Sequence, residues 1–275
     1  MPPKIRYGLV GDPIEHSLSP VMHNAAFESM NMNAEYLLRP SKLEDAEAIH
    51  RELIHGRWAG LNVTTPLKTT LAGLVELQGH AARAGAVNTL WRYGDEVRGA
   101  LTDVEGILTP LEQRGFAPGK TVMIIGGGGA ARAAAIAADS LGCTVHVACR
   151  NPDKAREFLD SVKVDNPGRS TTLSDERVVG EMMSSSDLII QATPVGREGD
   201  AHELPWGSVR ADTLAFDMVY KPIETPFLKD AGKAGCQLVY GWEMLLWQGA
   251  HALKIFTGRL APVDVMKEAL LKELK

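Results

Sequence analysis

The stretch "TVMIIGGGGAARAAAIAADSLG", residues 121–142, places four consecutive glycines between an apolar run and an alanine-rich run. The order of strand, glycine turn and helix is typical of a dinucleotide-binding unit, in which the helix N-terminus faces the pyrophosphate. Gly126, Gly128 and Ala131 fit the required spacing. The first permits a tight turn, the second lets the backbone approach the phosphates, and the small third residue lets the helix pack on the strand. A glycine run alone is equally consistent with a flexible turn, so the choice between a nucleotide-binding loop and a turn depends on the sequence around the run.

The next apolar run, "CTVHVACRNPDKAR", indicates which nucleotide binds. An NAD enzyme usually carries Asp or Glu at the end of this strand to accept a hydrogen bond from the ribose 2′-hydroxyl. This chain instead has Cys149 and Arg150, with Lys154 one helical turn further on. A guanidinium can pair with a 2′-phosphate, so the sequence favours NADP(H). If Arg150 and Lys154 are only solvated charges at a helix start, NAD(H) remains possible.

The strands around this unit predict the fold class. Apolar strands and helices alternate from residue 107 onward, which is typical of a parallel sheet covered on both faces. Before that point, short strands and helices lead to a hairpin that turns at Gly94-Asp95, and the chain ends in helices. We predict an α/β protein of two domains. Residues 1–104 plus 243–275 form an α/β substrate-binding catalytic domain, and residues 105–242 form a doubly wound Rossmann domain, with a C-terminal helix returning to the first.

Composition narrows the classes of function. The chain has 275 residues, 45% of them hydrophobic, and a formal net charge of −5. This charge argues against a nucleic-acid surface or a basic membrane-binding face, and no run approaches the length of a membrane span. Three cysteines without metal-ligand spacing predict reduced thiols, no metal site and a cytoplasmic location. The N-terminus has no long apolar signal segment.

Candidate catalytic groups lie in the first domain. Hydroxyls alternate in "HSLSP", and "NVTTPLK" carries polar groups from a strand end to a lysine; an asparagine in "AGAVNTL" and an aspartate in "LTD" complete the set. Neutral donors with one amine and one carboxylate suit a polyhydroxylated ligand. Taken singly, each has a structural alternative: Ser19 as a helix N-cap, Asn88 as a turn residue and Lys68 as a surface lysine.

Together these motifs resemble the shikimate dehydrogenase family over essentially the whole chain. The blocks occur in the family's order: "GDPIEHSLSPVMHNAAF", "GLNVTTPLK", "AGAVNTL", "TDVEG", "IIGGGGAARAA", "IIQATPVG", "DMVYKPIETPFL" and "GWEMLLWQGAHALKIFTG". The resemblance implies an oxidoreductase that reversibly reduces 3-dehydroshikimate to shikimate with NADPH, by hydride transfer at ring C3.

The family's residue roles transfer to matching positions. Lys68 would act as the acid/base, because reduction of a ketone builds an alkoxide that needs a proton, and Asp103 would orient the lysine amine. The implied substrate-binding residues are Ser17, Ser19, Thr64, Asn88, Tyr220 and Gln248. The implied cofactor-binding residues are Gly126, Gly128, Gly129, Ala130, Ala131, Arg150, Lys154, Thr193, Gly241 and Met244. The expected partner is a small shikimate-like molecule, and the chain is expected to be a monomer or a homodimer.

Some positions depart from the family pattern and leave the substrate open. Leu101 stands where the family usually has Asn before Thr-Asp, Gln191 replaces an Asn, and Arg197 follows Gly196 in place of Met. A relative acting on quinate, an aminoshikimate or a related cyclohexene carboxylate, possibly with NAD, would share the pattern. A ligand-sensing module without turnover is a third hypothesis, which the retained pair of Lys68 and Asp103 disfavours.

Overall fold

A computed structural model describes residues 2–275, apart from the side chain of Lys154. Over these residues the chain divides into two compact units, 1–106 with 246–275, and 107–245. Both units are α/β, and the second is the doubly wound Rossmann sheet that the sequence predicts. None of the helices in residues 2–275 is both long enough and apolar enough to cross a membrane.

The first unit is built on a mixed sheet of six strands in the order β2-β1-β3-β5-β6-β4. Its strands are β1 (Ile5–Gly11), β2 (Ala34–Pro40), β3 (Gly60–Val63), β4 (Glu76–Leu77), β5 (Thr89–Tyr93) and β6 (Glu96–Ala100). Strand β1 pairs in parallel with β2 and β3, whereas β5 is antiparallel to both β3 and β6. The predicted hairpin is therefore present, because Gly94 and Asp95 connect β5 to β6.

Helices cover this sheet. They are α1 (Ser19–Ser29), α2 (Ala46–Ile54), α3 (Lys68–Ala72), α4 (His80–Ala84) and α11 (Val263–Leu274), with the start of α5 (Asp103–Gln113) and most of α10 (Gly241–Thr257). Helix α11 packs against α1, so the C-terminal segment returns to the first unit as predicted. The core between sheet and helices includes the fully buried side chains of Met22, Phe27 and Leu61.

The strand directions gather several loops at one edge of this sheet. The carboxyl ends of β1 and β3 meet there because those strands are parallel. Strand β5 runs the other way, so its first residue, Thr89, pairs with Asn62 near the end of β3. Strand β6 runs antiparallel to β5 and therefore ends at the same edge, where α5 begins. The segments that carry the predicted catalytic groups thus converge by topology alone.

The second unit is an all-parallel six-stranded sheet in the order β12-β11-β10-β7-β8-β9. Its strands are β7 (Thr121–Ile125), β8 (Thr144–Cys149), β9 (Pro167–Thr172), β10 (Leu188–Gln191), β11 (Leu214–Asp217) and β12 (Gln237–Val239). Helices α6 (Gly129–Ser140), α7 (Pro152–Ser161), α8 (Glu176–Ser185) and α9 (Pro226–Lys233) join them. This is the strand order of the Rossmann fold. The order reverses between β7 and β10, and sheets of this kind bind ligands at that point, beside the carboxyl ends of the strands.

Candidate active site

The predicted acid/base pair forms in the first unit. The Lys68 Nζ donates a hydrogen bond to Asp103 Oδ2, and both side chains are largely shielded, with relative exposures of 24% and 11%. Lys68 is the first residue of α3, just after the end of β3, and Asp103 is the first residue of α5, just after β6. The alternative of a surface lysine is therefore wrong, because the amine is held by a carboxylate at the sheet edge.

Asn88 orients the carboxylate. Its Nδ2 donates to Asp103 Oδ1 at 2.8 Å, while its Oδ1 accepts from the backbone N–H of Thr102 at 2.6 Å. Because that N–H can only donate and the carboxylate can only accept, the direction of the Asn88 amide is fixed. Asn88 is 2% exposed. It is an interior residue of a polar network, so the alternative of a simple turn residue is wrong.

Gln248 joins the same cluster from α10. The Asn88 Nδ2 lies 3.4 Å from Gln248 Oε1, and Gln248 is 9% exposed. Thr64 follows β3 at the same edge of the sheet, and its backbone N–H donates to the carbonyl of Val10 at 2.9 Å. The structure therefore brings Lys68, Asn88, Asp103 and Gln248 into one hydrogen-bonded group, with Thr64 at the end of the adjoining strand.

The two serines that are predicted to bind substrate also contact each other. Ser17 Oγ donates to Ser19 Oγ at 3.2 Å, and the Ser19 backbone N–H donates to Ser17 Oγ at 3.3 Å. Helix α1 begins at Ser19 itself, and Leu18 occupies the N-cap position without a side-chain cap hydrogen bond. The alternative of Ser19 as an N-cap is therefore wrong.

Two buried residues that the sequence did not single out, Tyr36 and Thr89, connect these groups. The Tyr36 hydroxyl donates to Asn62 Oδ1 at 2.7 Å, and Asn62 Nδ2 donates to the carbonyl of Asn88 at 3.2 Å and to Thr89 Oγ1 at 3.1 Å. Asn62 is the first residue of the motif "NVTTPLK", at the end of β3. No sequence pattern indicates Tyr36, because it lies in β2 and meets Asn62 only through tertiary packing.

The glycine loop of the second unit has the conformation that the spacing predicts. Gly126 follows β7 with φ of +123°, and a Cβ there would lie 3.0 Å from Thr193 Cγ2 and 3.1 Å from the carbonyl of Ala192. A residue with a side chain would be strained at this position, so the turn requires glycine. Thr193 follows β10, so the structure brings it beside Gly126 at the switch point of the sheet.

The N-terminus of α6 fits a phosphate group. The helix begins at Gly129, and its N-cap residue, Gly128, has no side chain that could cap the first N–H groups. A Cβ at Gly128 or Gly129 would meet nothing within 4 Å, so the loop has open space on that side. Ala130 follows in the first turn, and Ala131 is fully buried where the helix packs. Exposed N–H groups at the positive end of a helix are a ready anion site.

The remaining cofactor candidates surround the other strand ends of this unit. Arg150 is exposed directly after β8, and the neighbouring Cys149 thiol donates to the carbonyl of Asn151 at 3.1 Å. The side chain of Lys154 lies outside the described residues. Thr193 Oγ1 and N both donate to Gln191 Oε1, at 3.0 and 3.1 Å, so the Gln that replaces the family's Asn holds this turn.

Gly241 and Met244 lie in the first turn of α10. A Cβ on Gly241 would lie 2.4 Å from the carbonyl oxygen of Val219, so only glycine permits this close approach to the segment that carries Tyr220. Arg114 holds the turn in place through two hydrogen bonds to the Glu243 carboxylate, at 2.9 and 2.8 Å. Burial raises the pKa of Tyr220, and the charge of Arg197 partly opposes this rise.

Comparison with known proteins places the chain in a family. Residues 9–90 match the shikimate dehydrogenase substrate binding domain, and residues 241–271 match the shikimate 5′-dehydrogenase C-terminal domain. The chain is 40% identical to shikimate dehydrogenase (NADP(+)) of Archaeoglobus fulgidus over 98% of each protein. The chain belongs to the shikimate dehydrogenase family.

Solved structures of family members agree. Shikimate 5-dehydrogenase of Thermus thermophilus, in complex with NADP(H) and shikimate, is 33% identical and superposes with a TM-score of 0.86, covering 98% of this chain and 99% of that one. Quinate dehydrogenase of Corynebacterium glutamicum, in complex with NAD, is 26% identical with a TM-score of 0.87, covering 98% and 100%. The resemblance of the sequence motifs is thus confirmed at the level of the family and the fold.

Proposed function

We propose that this chain catalyses the NADP-dependent, reversible reduction of 3-dehydroshikimate to shikimate. The observation that carries the proposal is the hydrogen bond between Lys68 and Asp103, with Asn88 on the second carboxylate oxygen. Mere binding of a hydroxylated acid needs no amine–carboxylate pair. A reaction that interconverts a ketone and an alcohol does, because the oxygen gains or loses a proton.

The mechanism assigns the proton to Lys68. NADP(H) held by the second unit would supply the hydride for ring C3, or take it up in the oxidative direction. As the ketone oxygen gains negative charge, Lys68 Nζ donates a proton to it, and in the oxidative direction the neutral amine takes the proton back. Asp103 holds the amine toward the reacting oxygen, and Asn88 keeps the carboxylate in that orientation.

The other polar side chains of the first unit would hold the substrate. Ser17 and Ser19 each have a hydroxyl that can donate to a carboxylate in place of their mutual contact. Thr64, Asn88 and Gln248 supply neutral donors and acceptors for ring hydroxyls. Tyr220 would add a further hydrogen bond to the substrate.

The second unit would hold NADP(H). The uncapped start of α6 at Gly128, Gly129, Ala130 and Ala131 suits the pyrophosphate, since its N–H groups are available to an anion. Arg150, exposed at the end of β8, suits the 2′-phosphate. Thr193, Gly241 and Met244 would line the nicotinamide end. We assign residues 1–104 with 243–275 to substrate and catalysis and residues 105–242 to the cofactor, and propose a cytoplasmic enzyme that is a monomer or a homodimer.

The test is a comparison of shikimate and quinate with NADP⁺ and NAD⁺, followed by the absorbance of the reduced nicotinamide. The proposal expects the highest kcat/KM for shikimate with NADP⁺. A clear preference for quinate with NAD⁺ would support a quinate dehydrogenase instead, which is the alternative that the Corynebacterium relative favours. Tight binding of shikimate without turnover in any pairing would overturn the enzymatic proposal.

A further inference from the structure

Tyr36 begins a buried hydrogen-bond chain in the first unit. The side chain is 1% exposed, and its hydroxyl donates to Asn62 Oδ1 at 2.7 Å. Tyr36 is therefore the buried partner of an asparagine that lies at the end of β3, next to the proposed acid/base pair.

The chain continues from Asn62 to the acid/base pair. Asn62 Nδ2 contacts the carbonyl of Asn88, which can only accept, so its amide orientation is fixed and Oδ1 must face Tyr36. Asn62 Nδ2 also donates to Thr89 Oγ1 at 3.1 Å, and Thr89 Oγ1 donates to Asn88 Oδ1 at 3.3 Å. Asn88 in turn donates to Asp103. The Tyr36 hydroxyl is thus connected to Asp103 through Asn62 and Asn88.

Helix α1 holds Tyr36 from two sides. The His23 ring stacks on the Tyr36 ring with a centroid distance of 4.3 Å and an interplanar angle of 2°. The Asn24 side chain makes two bonds to the Tyr36 backbone: its Nδ2 donates to the carbonyl at 3.1 Å, and its Oδ1 accepts from the N–H at 2.8 Å. His23 and Asn24 of α1 therefore fix both the backbone and the ring plane of Tyr36.

We propose that Tyr36 is a positioning residue that couples helix α1, which begins at the proposed substrate-binding residue Ser19, to the orientation of Asp103 and Lys68. The inference rests on the proposed function for its kinetic effect. Loss of the hydroxyl leaves Asn62 Oδ1 without its buried partner, and an unsatisfied buried polar group is costly. Asn62 then loses its fixed orientation, and so do the hydrogen bonds that lead from it to Asn88 and Asp103.

The test is Tyr36→Phe, with Tyr7→Phe as the matched control. Tyr7 is also buried in the first unit, and its hydroxyl makes one long contact, 3.5 Å, to the carbonyl of Phe256, outside the chain of hydrogen bonds. We expect Tyr36→Phe to raise KM for shikimate and lower kcat, with a combined loss in kcat/KM of roughly 10- to 100-fold. The affinity of Tyr36→Phe for NADP⁺ is expected to stay unchanged. Tyr7→Phe is expected to keep a KM for shikimate and a kcat close to those of the wild type. A kcat/KM for Tyr36→Phe within about twofold of the Tyr7→Phe value would overturn the inference.

Two further measurements keep the inference testable. The side-chain amide NMR signals of Asn62 and Asn88 should shift in Tyr36→Phe and stay in place in Tyr7→Phe. Unshifted signals in Tyr36→Phe would contradict the coupling, whether or not the wild type oxidises shikimate. A wild type that does not oxidise shikimate would contradict the proposed function instead. If Tyr36→Phe does not fold, Asn24→Ala releases the Tyr36 backbone and keeps the hydroxyl. It should lower kcat/KM in the same direction, and a wild-type value for it would count against the proposal.

Discussion

Asn88 holds Asp103 through a 2.8 Å hydrogen bond to Oδ1, while Lys68 takes the other carboxylate oxygen. The two bonds come from different strand ends, so the carboxylate is fixed on both sides by the sheet rather than by a flexible loop. Such preorganisation of a proton-transfer group is what an active site needs before the substrate arrives.

Asn88→Ala tests this arrangement. The substitution removes the partner of Asp103 Oδ1 and leaves the buried N–H of Thr102 without its acceptor. We expect kcat to fall by roughly 10-fold or more, since loss of a buried charge-assisted bond costs about 1.5–3 kcal/mol. Asn33→Ala is the control, because the Asn33 side chain is bonded only near the surface, to the carbonyls of Pro2 and Pro3. Equal kcat for the two variants would remove Asn88 from the catalytic arrangement.

Arg150→Ala tests the choice of nucleotide. If the exposed guanidinium after β8 pairs with the 2′-phosphate, its removal weakens NADP⁺ far more than NAD⁺, which has no such group. Fluorescence titration of wild type and variant with each nucleotide gives the dissociation constants, and the loss of affinity for NADP⁺ can be compared with the loss for NAD⁺. Arg156→Ala provides the control in the following helix α7. The same loss for both nucleotides would mean that Arg150 does not distinguish them.

Asp217 predicts one component of the pH dependence of stability. Burial raises its pKa from 3.8 to about 6, while hydrogen bonds from Thr225 and the Val219 backbone oppose this rise. The fold prefers the protonated form, so this contribution is complete below the unfolded pKa and is lost as pH rises through about 6. Relative to Asp217→Asn, the wild type should therefore lose about 2 kcal/mol of unfolding free energy from pH ~4 to pH ~7. Denaturant unfolding at both pH values measures it, and a constant difference would contradict the assignment.

His23 should contribute to the pH dependence of stability with the opposite sign. Complete burial lowers its pKa from 6.5 to about 3, and its ring nitrogens have no hydrogen-bond partner. The fold prefers the neutral ring, so this contribution is present above the unfolded pKa and is lost as pH falls from 6.5 toward 3. His23→Phe should therefore flatten the acid limb of the stability curve, whatever its effect at neutral pH. An unchanged acid slope would show that His23 does not titrate with unfolding.

Much of the fold was predictable because its signals are local. The apolar runs at β7, β8 and β10 mark buried parallel strands, and Gly94-Asp95 marks the hairpin of the first unit. Strand β9, "PGRSTT", has no such signal, because this polar edge strand starts with proline and glycine and lacks an apolar run.

The candidate site was predictable only in part. Lys68 and Asp103 could be identified because they lie in ordered motifs that resemble a known family. Their contact, across 35 residues of sequence, depends on the strand order of the sheet, and no local pattern specifies it. No local pattern indicates the proposed role of Tyr36 either, because its partners come from α1 and β3 and meet it only in the folded chain. Burial and hydrogen-bond direction, which only a structure supplies, identify it.

The most direct test of the account is the turnover of shikimate with NADP⁺ by Lys68→Ala. We expect kcat to fall roughly 10²- to 10⁴-fold, the usual scale for loss of a general acid/base. Because the glycine loop and Arg150 are untouched, the dissociation constant for NADP⁺ should remain at the wild-type value. A near-normal kcat for Lys68→Ala would contradict the assignment of proton transfer to the Lys68–Asp103 pair.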